Sequence, residues 1–245
     1  MEFEPYKIKK PEESDYLIAY IDLLGTKEYV EKGDDNVIFD YIYEAYTLAT
    51  KGFVEDKVWG FDDIKYKIFS DNLLVAIKAE KENLPEAYNT IYCYLVMLLL
   101  MLITKGVLFR GGMTYGKLAI DDTIVWGKGL IEVVQIEEKI AIYPRIVLSD
   151  SLVNTLKSFL KENMSFEDEY SCFTDFDGCV YFDYIFYSKE STDKIYESSN
   201  EFIDKKLIDE KNPRIIQKYL WHKNFLKLSK EKFDSMLQEN SFDKH

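Results

Sequence analysis

Two short strings in the sequence each place one aspartate where an apolar strand gives way to a turn. The first is Tyr20-Ile-Asp-Leu-Leu-Gly25, and the second is Phe69-Ser-Asp-Asn72. The residues before each string are rich in β-branched and aromatic side chains, which favour extended backbone. If the two strands pair side by side, Asp22 and Asp71 face one point, so the pair constrains both the fold and the chemistry of the chain.

The type of site follows from which polar residues the chain contains. Two carboxylates beside a glycine-containing turn suit Mg²⁺ or Mn²⁺ held against a nucleoside triphosphate, because these ions prefer hard oxygen ligands. The histidines are His222 and His245, and the cysteines, Cys93, Cys172 and Cys179, include no C-x-x-C pair. The chain therefore has too few histidines and no cysteine pair for histidine-based hydrolysis or a zinc site, and we expect a metal site formed by carboxylates.

The charge of the chain limits its partners. The 245 residues carry a net charge of −13, whereas duplex DNA, RNA and anionic membranes attract basic surfaces. We therefore expect no nucleic-acid and no membrane partner. The longest apolar run, 91 to 103, is too short for a membrane span and is interpreted as a buried helix. The first residues lack the pattern of a signal peptide, which predicts a cytoplasmic protein.

Hydrophobic periodicity predicts a β-α-β-β-α-β order in the first part of the chain. The predicted elements are a strand at 16–22, a helix at about 35–50, strands at 64–70 and 72–78, a helix at about 84–105 and a strand at 107–116. This order indicates an α+β fold of the ferredoxin-like βαββαβ type, an antiparallel sheet with two helices on one face. A hairpin at about 117–126, a helix opening at Gly127 to Gly129 and a strand at 145–148 are expected to follow.

The character of the chain changes at about residue 150. A helix, a hairpin at about 172–187 and charged amphipathic helices from 190 to about 228 are predicted, followed by a polar tail that frays. We therefore divide the chain into a catalytic domain, 1–150, and a mainly helical accessory region, 151–245. Within the second part, Asp175-Phe-Asp-Gly178 resembles the start of a calcium loop but lacks the downstream ligands, which favours an ordinary hairpin turn.

Five strings occur in an order that points to a family. They are Asp22-Leu-Leu-Gly25, Ser70-Asp71, Arg110-Gly-Gly-Met-Thr-Tyr-Gly116, Trp126-Gly-Lys-Gly-Leu130 and Glu137. Their order and separations resemble the class III nucleotidyl cyclases, and are most similar to the bacterial antiphage pyrimidine cyclases, the Pycsar cyclases. The resemblance covers about 16 to 150, and it implies a homodimer with composite sites at the interface.

The resemblance assigns roles to individual residues. Asp22 and Asp71 would bind two divalent ions, Mn²⁺ or Mg²⁺, and the carbonyl of Leu23 would complete one coordination shell. The backbone amides of the turn would cradle the β- and γ-phosphates; these are the amides of Leu24, Gly25, Thr26 and Lys27. The ribose 3′-hydroxyl would then attack the α-phosphorus to give a 3′,5′-cyclic nucleotide. Lys67, four residues before Asp71, stands where purine cyclases keep a base-reading lysine.

The sequence departs from purine cyclases in the helix after Gly127. Lys128, Ile131 and Gln135 stand where those enzymes have a base-reading aspartate, an asparagine and an arginine that stabilises the transition state. The departures favour a different nucleotide, UTP or CTP, or a domain that binds nucleotide without turnover. A third interpretation is a palm-type polymerase or diguanylate cyclase. These enzymes require a Gly-Gly-Asp-Glu or Gly-Gly-Asp-Asp hairpin, and Phe69-Ser-Asp-Asn72 contains only half of that motif.

Two further features stay open at this point. Arg110, one of three arginines in the chain, opens the glycine-rich strand as a candidate catalytic residue, where its guanidinium offers either a bidentate hold on a phosphate or only a structural position on the strand. Three glycines, Gly111, Gly112 and Gly116, mark either a bulge or close backbone packing in a strand, or the approach of a substrate.

The leading interpretation is a metal-dependent nucleotidyl (pyrimidine) cyclase, a phosphorus–oxygen lyase. Its product would act as an antiphage signal through a cyclic-nucleotide-responsive effector. The alternative is a catalytically inactive cyclase-fold module for nucleotide binding or dimerisation.

Overall fold

The aspartate-bearing strands belong to one mixed sheet in the computed structural model, which describes residues 10–50, 64–185 and 189–242. Its strands are β1 Ser14–Leu24, β2 Ile64–Phe69, β3 Asn72–Lys78, β4 Leu108–Ile120, β5 Val125–Trp126, β6 Ile146–Leu148, β7 Cys172–Thr174 and β8 Val180–Phe182. The helices are α1 Thr26–Lys32, α2 Asp35–Thr50, α3 Leu84–Thr104, α4 Lys128–Lys139, α5 Asp150–Lys157, α6 Phe166–Glu169, α7 Lys189–Asp209 and α8 Pro213–Phe242, with a 3₁₀ turn at Lys81–Asn83. This is an α+β fold, as the sequence predicts.

The strand order is β2-β3-β1-β4-β6-β8-β7, with β5 paired to β4. β1 runs antiparallel to both β3 and β4, so the βαββαβ order is confirmed. One detail of the prediction is wrong, because β3 lies between β1 and β2 and the two aspartate-bearing strands do not pair directly. Asp71 still reaches the end of β1, because it lies in the β2–β3 turn and not within β2.

Alternation along β1 divides its side chains between two layers. Leu17, Ala19 and Ile21 face the main core, which α3 fills with a nearly continuous apolar surface. Tyr16 and Ile18 face the opposite layer, where α4 covers the sheet with Val133. Because side chains of a strand point alternately to its two faces, Asp22 falls in the α4 layer.

The predicted boundaries differ from the observed ones in three places. α1 precedes the expected helix at 35–50, and β4 continues to Ile120, whereas the predicted strand ends at 116. The expected polar tail after 229 is part of α8, which extends to Phe242.

The second part of the chain joins the same sheet. β8 pairs with β6 and β7 pairs with β8, and Ile203 and Phe225 of the last two helices enter the main core. The boundary at residue 150 stays a prediction. Because α8 packs against the sheet of the first part of the chain, it can bring side chains to the end of that sheet.

One helix in the described part of the chain, Lys81–Thr104, has the length and apolar composition of a membrane span. It is the central helix of the main core, and 61 % of its apolar window is buried. A buried helix is what the apolar run at 91–103 predicts.

Candidate metal and nucleotide site

The structure brings Asp22 and Asp71 to the same end of the sheet. Asp22 lies opposite Asn72 in the β1–β3 register, and the next amide, that of Leu23, donates to the carbonyl of Asp71 at 3.1 Å. This backbone bond fixes the β2–β3 turn against the end of β1. The positions of both carboxylates are therefore set by sheet pairing and do not depend on a long loop.

The β2–β3 turn is held by side chains as well as by backbone. Ser70 adopts a left-handed conformation with φ 57°, which lets a two-residue turn close the hairpin. The Thr26 hydroxyl donates to Oδ2 of Asp71 at 2.5 Å, and the Asn72 amide donates to Oδ1 at 3.3 Å. The Tyr20 hydroxyl in turn donates to Oδ1 of Asn72 at 2.8 Å. Asp71 is thus oriented from both sides.

The turn after β1 connects it to α1 through Gly25, whose φ of 86° is rarely accessible to other residues. Leu23 is buried, whereas Gly25 and Lys27 are exposed at the same sheet end. The Lys27 ammonium lies 3.6 Å from Glu31 in a solvent-exposed pair. The predicted phosphate-binding segment therefore lies beside Asp71, to which Thr26 is directly bonded.

Arg110 lies directly opposite Asp22 on the neighbouring strand β4. Its Nε is 3.1 Å from Oδ2 of Asp22, and its Nη2 is 2.6 Å from Oε1 of Glu137, near the end of α4. Nη1 points toward the carbonyl oxygen of Glu137 at 3.5 Å. All three guanidinium nitrogens thus face these two residues. To bind a phosphate, Arg110 would have to break its contacts with Asp22 and Glu137.

The acidic groups of this site are only partly compensated. Burial, followed by the nearby charge of Asp71, raises the pKa of Asp22 against the opposing effect of Arg110. Burial also raises the pKa of Glu137, and the negative charge of Asp22 raises it further. The pKa of Tyr20 rises for the same reasons, with burial first and Glu137 next. Ionised carboxylates are crowded here, which is the condition that a bound cation relieves.

A second cation reaches the site from α8. The Lys218 ammonium interacts electrostatically with Asp22 and Glu137, which raise its pKa, but burial and the like charge of Arg110 outweigh them and lower it. In the sequence Lys218 falls outside the part that resembles a cyclase. It is a lysine at the start of a stripe of residues that are buried on α8. This pattern points to the site only once the position of the helix is known.

The proposed base-reading positions lie away from this site. The Lys67 ammonium donates to the carbonyl of Asp122 at 2.9 Å, in the turn between β4 and β5. Lys128, Ile131 and Gln135 are exposed along one face of α4. Among the hydrogen bonds and ion pairs of the described residues, none joins these side chains to Asp22 or Asp71, and a composite site would require a second copy to bring them there.

The glycines of β4 are explained by packing. A Cβ on Gly111 would lie 2.3 Å from the carbonyl oxygen of Tyr20, and one on Gly112 would lie 2.8 Å from the side chain of Ile136. A Cβ on Gly116 would meet the backbone of Gly129 at 3.3 Å. These contacts favour close packing of β1 and α4 on β4 over substrate approach.

The donor set fits a hard divalent cation in its chemistry. Asp22 and Asp71 supply carboxylate oxygens, and the charge of Asp71 contributes to the raised pKa of Asp22, an effect that a shared cation would reverse. Across residues 10–50, 64–185 and 189–242, no cluster of three or more His, Cys, Asp or Glu side chains forms a complete metal cage. Part of a coordination shell would therefore come from the substrate and water, as is usual for Mg²⁺ at nucleotides.

A second cation–carboxylate cluster lies next to the site. Arg145, at the start of β6, is fully buried and forms ion pairs with Asp175 and Asp177 in the β7–β8 turn. Its guanidinium also lies over the rings of Tyr143 and Trp221, 5.5 and 5.9 Å from their centroids. The Asp175-Phe-Asp-Gly178 turn is therefore a hairpin that clamps an arginine.

Comparisons with known proteins give only partial likenesses of fold. No family profile matches the chain, and no curated protein matches it significantly. Among solved structures it is similar to the adenylyl cyclase CyaB from P. aeruginosa, with 14 % identity, 71 % of this chain and 94 % of that one covered, and a TM-score of 0.47.

Two other solved structures are similar at the same level. The guanylyl cyclase domain of the RhoGC fusion protein from Blastocladiella emersonii has 12 % identity, 61 % and 90 % coverage, and a TM-score of 0.47. A class III adenylyl cyclase-like ATP-binding protein from Pseudomonas aeruginosa has 11 % identity, 58 % and 35 % coverage, and a TM-score of 0.41. Likeness at these values establishes neither family nor activity.

Proposed function

We propose that the protein is a metal-dependent nucleotidyl cyclase that converts a ribonucleoside triphosphate into a 3′,5′-cyclic nucleotide and pyrophosphate. The observation that carries the proposal is the convergence of Asp22 and Asp71 at one end of a βαββαβ sheet, beside a turn with exposed backbone. The motif order in the sequence, which resembles class III cyclases, supports the same function. Fold alone would not, because one fold hosts many activities.

The residues of the site have distinct parts in this reaction. Asp22, Asp71 and the carbonyl of Leu23 would hold the divalent ions, which activate the ribose 3′-hydroxyl and stabilise the leaving pyrophosphate. Thr26 keeps Asp71 in its orientation. Arg110 does the same for Asp22, which it contacts directly.

The triphosphate would lie along the turn after β1. We assign the β- and γ-phosphates to the backbone amides of this turn, where Gly25 gives the chain the curvature that a phosphate cradle needs. The amides belong to Leu24, Gly25, Thr26 and Lys27. Both metal-binding carboxylates are next to this turn, so the phosphates and the ions would occupy adjoining space.

The proposed base is a pyrimidine. Lys128 is an exposed donor on α4 where purine cyclases place an acceptor aspartate, and an ammonium cannot accept the amine or ring N–H of a purine. An unpaired buried donor costs about 1–3 kcal/mol, which corresponds to roughly ten- to hundredfold preference for UTP or CTP. Lys67 contributes to base recognition in this proposal after leaving the carbonyl of Asp122.

The proposed active form is a homodimer, because Lys128 and the exposed face of α4 lie away from Asp22 of the same chain. The β2–β3 hairpin offers a further contact, since Phe69 is 81 % exposed beside the site. The product would signal phage infection through a cyclic-nucleotide-responsive effector, a role that rests on the sequence resemblance to Pycsar cyclases. Cytoplasmic location is part of the same proposal.

A second candidate is a nucleotide-binding or dimerisation module without turnover. It is favoured by the engagement of Arg110 with Asp22 and Glu137, and by Ile131 and Gln135 at the positions of the asparagine and arginine. A cyclase and a nucleotide-binding module need the same nucleotide site, so binding does not separate these two. Product formation does.

The test is incubation with each of the four ribonucleoside triphosphates and Mn²⁺, followed by mass-resolved product analysis. We expect cyclic UMP or cyclic CMP from the native chain and none from Asp22→Asn or Asp71→Asn. Asp40→Asn, on an exposed position of α2, is the matched control and should retain the native activity. Selective formation of cyclic AMP or cyclic GMP would overturn the pyrimidine assignment, and nucleotide binding without any cyclic product would establish the inactive module.

A further inference from the structure

Lys218 opens the inward-facing stripe of α8. His222, Phe225 and Ser229 follow it at the four- and three-residue steps that place side chains on one face of a helix, and all three are buried. Lys218 itself is half-buried. A lysine on such a stripe loses hydration, so its position calls for an electrostatic partner or a ligand.

The beginning of this stripe is anchored near the metal site. The Trp221 indole N–H donates to Asp175 at 2.9 Å, and its ring stacks on Tyr143 with the centroids 5.7 Å apart. Tyr143 lies two residues before Arg145, whose carbonyl accepts from the amide of Gly111 at 3.0 Å. These contacts hold the first turns of α8 beside the start of β4, where Arg110 is located.

The two cations at this place are used differently. Arg110 directs its three guanidinium nitrogens to oxygens of Asp22 and Glu137. Lys218 lies within electrostatic range of the same two residues, yet among the described residues its ammonium is in no hydrogen bond or ion pair. An ammonium group carries three N–H donors, which suit the oxygens of a phosphate bound in the site.

We propose that Lys218 is a phosphate-binding residue that α8 supplies to the triphosphate site of its own chain. It provides the cation that Gln135 cannot provide from α4, and it contacts the triphosphate as a point charge on a flexible stem. The inference rests on the proposed nucleotide function. It makes α8, in the region assigned as accessory, a part of the site.

The chemistry of the contact determines what Lys218 recognises. An ammonium binds phosphate oxygens irrespective of the base. Removing it should therefore weaken the binding of all triphosphates alike and leave the base preference unchanged. The same loss should appear with inorganic tripolyphosphate, which has no base. A residue that only balances the charge of Asp22 and Glu137 would instead change the stability of the free protein and leave the affinity for phosphates unaltered.

The experiment compares the native chain with Lys218→Met, Lys218→Arg and the control Lys227→Met by titration calorimetry. Lys227 lies on the same helix in an exposed pair with Glu231. The probes are UTP, CTP, ATP, GTP and tripolyphosphate, each with Mn²⁺. We expect Lys218→Met to raise every Kd about tenfold or more, Lys218→Arg to restore most of the affinity, and Lys227→Met to match the native chain.

The outcomes separate this inference from the proposed function. Native-like affinity of Lys218→Met for a triphosphate that the native chain binds overturns the role of Lys218 and leaves the function intact. Failure of the native chain to bind or convert any of the probes overturns both. Circular dichroism checks the fold, and Lys218→Gln takes the place of Lys218→Met in the comparison if the methionine variant misfolds.

Discussion

Two arginine–carboxylate clusters lie side by side at one end of the sheet, and they differ in how completely their charges are satisfied. Arg145 is fully buried between two aspartates and two aromatic rings. Arg110 is 24 % exposed, and around it burial raises the pKa values of Asp22 and Glu137. The first cluster has the properties of a structural clamp, and the second those of a site that is completed by a ligand.

The difference has a local cause in the sequence. Asp175 and Asp177 lie in a tight turn between two short strands, and the turn delivers both carboxylates to one guanidinium. Asp22 lies near the end of β1, before α1, and Asp71 lies in the β2–β3 turn. Both clusters have more acidic than basic groups, but the guanidinium of Arg145 pairs directly with both aspartates of the clamp. At the site Arg110 pairs with Asp22 and Glu137, whereas Asp71 forms no ion pair within the described residues, so the site has a carboxylate left for a cation.

The largest effect should come from breaking the clamp. Arg145→Met leaves Asp175 and Asp177 without their cation, and the loss of one partner of a buried pair costs about 3–5 kcal/mol. Urea unfolding should show this decrease in the free energy of unfolding. Arg214→Met, on the exposed first turn of α8, should remain within about 0.5 kcal/mol of the native chain. Equal stability of the two variants would contradict the structural role of Arg145.

The clamp should also appear as acid sensitivity. Hydrogen bonding to Arg145 lowers the pKa of Asp177 to about 2. Because the folded pKa is below the unfolded value of about 3.9, the stabilisation is complete above about pH 4 and is lost as the pH falls toward 2. We expect a loss of about 1–2 kcal/mol after allowing for partial exposure. Asp177→Asn should flatten this part of the stability profile, and an unchanged slope would argue against the pairing.

A smaller effect should distinguish the site from the clamp. Thr26→Val removes the hydroxyl that orients Asp71 while keeping the shape of the side chain. Loss of such a supporting hydrogen bond should lower the affinity for Mn²⁺ and triphosphate about tenfold, with a change of about 1 kcal/mol or less in stability. Thr26→Ser keeps the hydroxyl and serves as the control. If both variants bind Mn²⁺ equally well, the hydroxyl does not support a metal ligand.

The smallest effect concerns the protein without metal. Because burial raises the folded pKa of Asp22, ionisation of this carboxyl destabilises the free protein. Stability should therefore fall as the pH rises from the unfolded pKa of Asp22 to its higher folded pKa. Asp22→Asn should therefore raise the melting temperature by about a degree or two at neutral pH and weaken the fall. A clear decrease in melting temperature would show that the pair with Arg110 outweighs the cost of burial.

Much of the fold was predictable because its elements carry strong local patterns. β1 and β3 are apolar runs that end at turn residues, and the apolar length of α3 allows only a core helix. The convergence of Asp22 and Asp71 followed from these strands and one tight turn. Local sequence was sufficient there because hairpin geometry fixes which residues lie at the same sheet end.

The remaining features depend on tertiary contacts that a pattern does not encode. β7 and β8 have three residues each, too few for periodicity to show that they extend the sheet through β6. The glycines of β4 left close packing and substrate approach open, and only the placed β1 and α4 show that the glycines allow close packing. Lys218 is distant in sequence from Asp22, and only the placement of α8 brings them together.

The central claim is that the end of the sheet with Asp22 and Asp71 holds divalent ions together with a triphosphate. Electron paramagnetic resonance of free Mn²⁺, measured during titration of the protein in the presence of UTP, tests it most directly. The account predicts about two protein- and nucleotide-dependent Mn²⁺ ions per native chain and their loss in the Asp22→Asn, Asp71→Asn double variant, with Asp40→Asn unchanged. Native Mn²⁺ binding by the double variant would contradict the account.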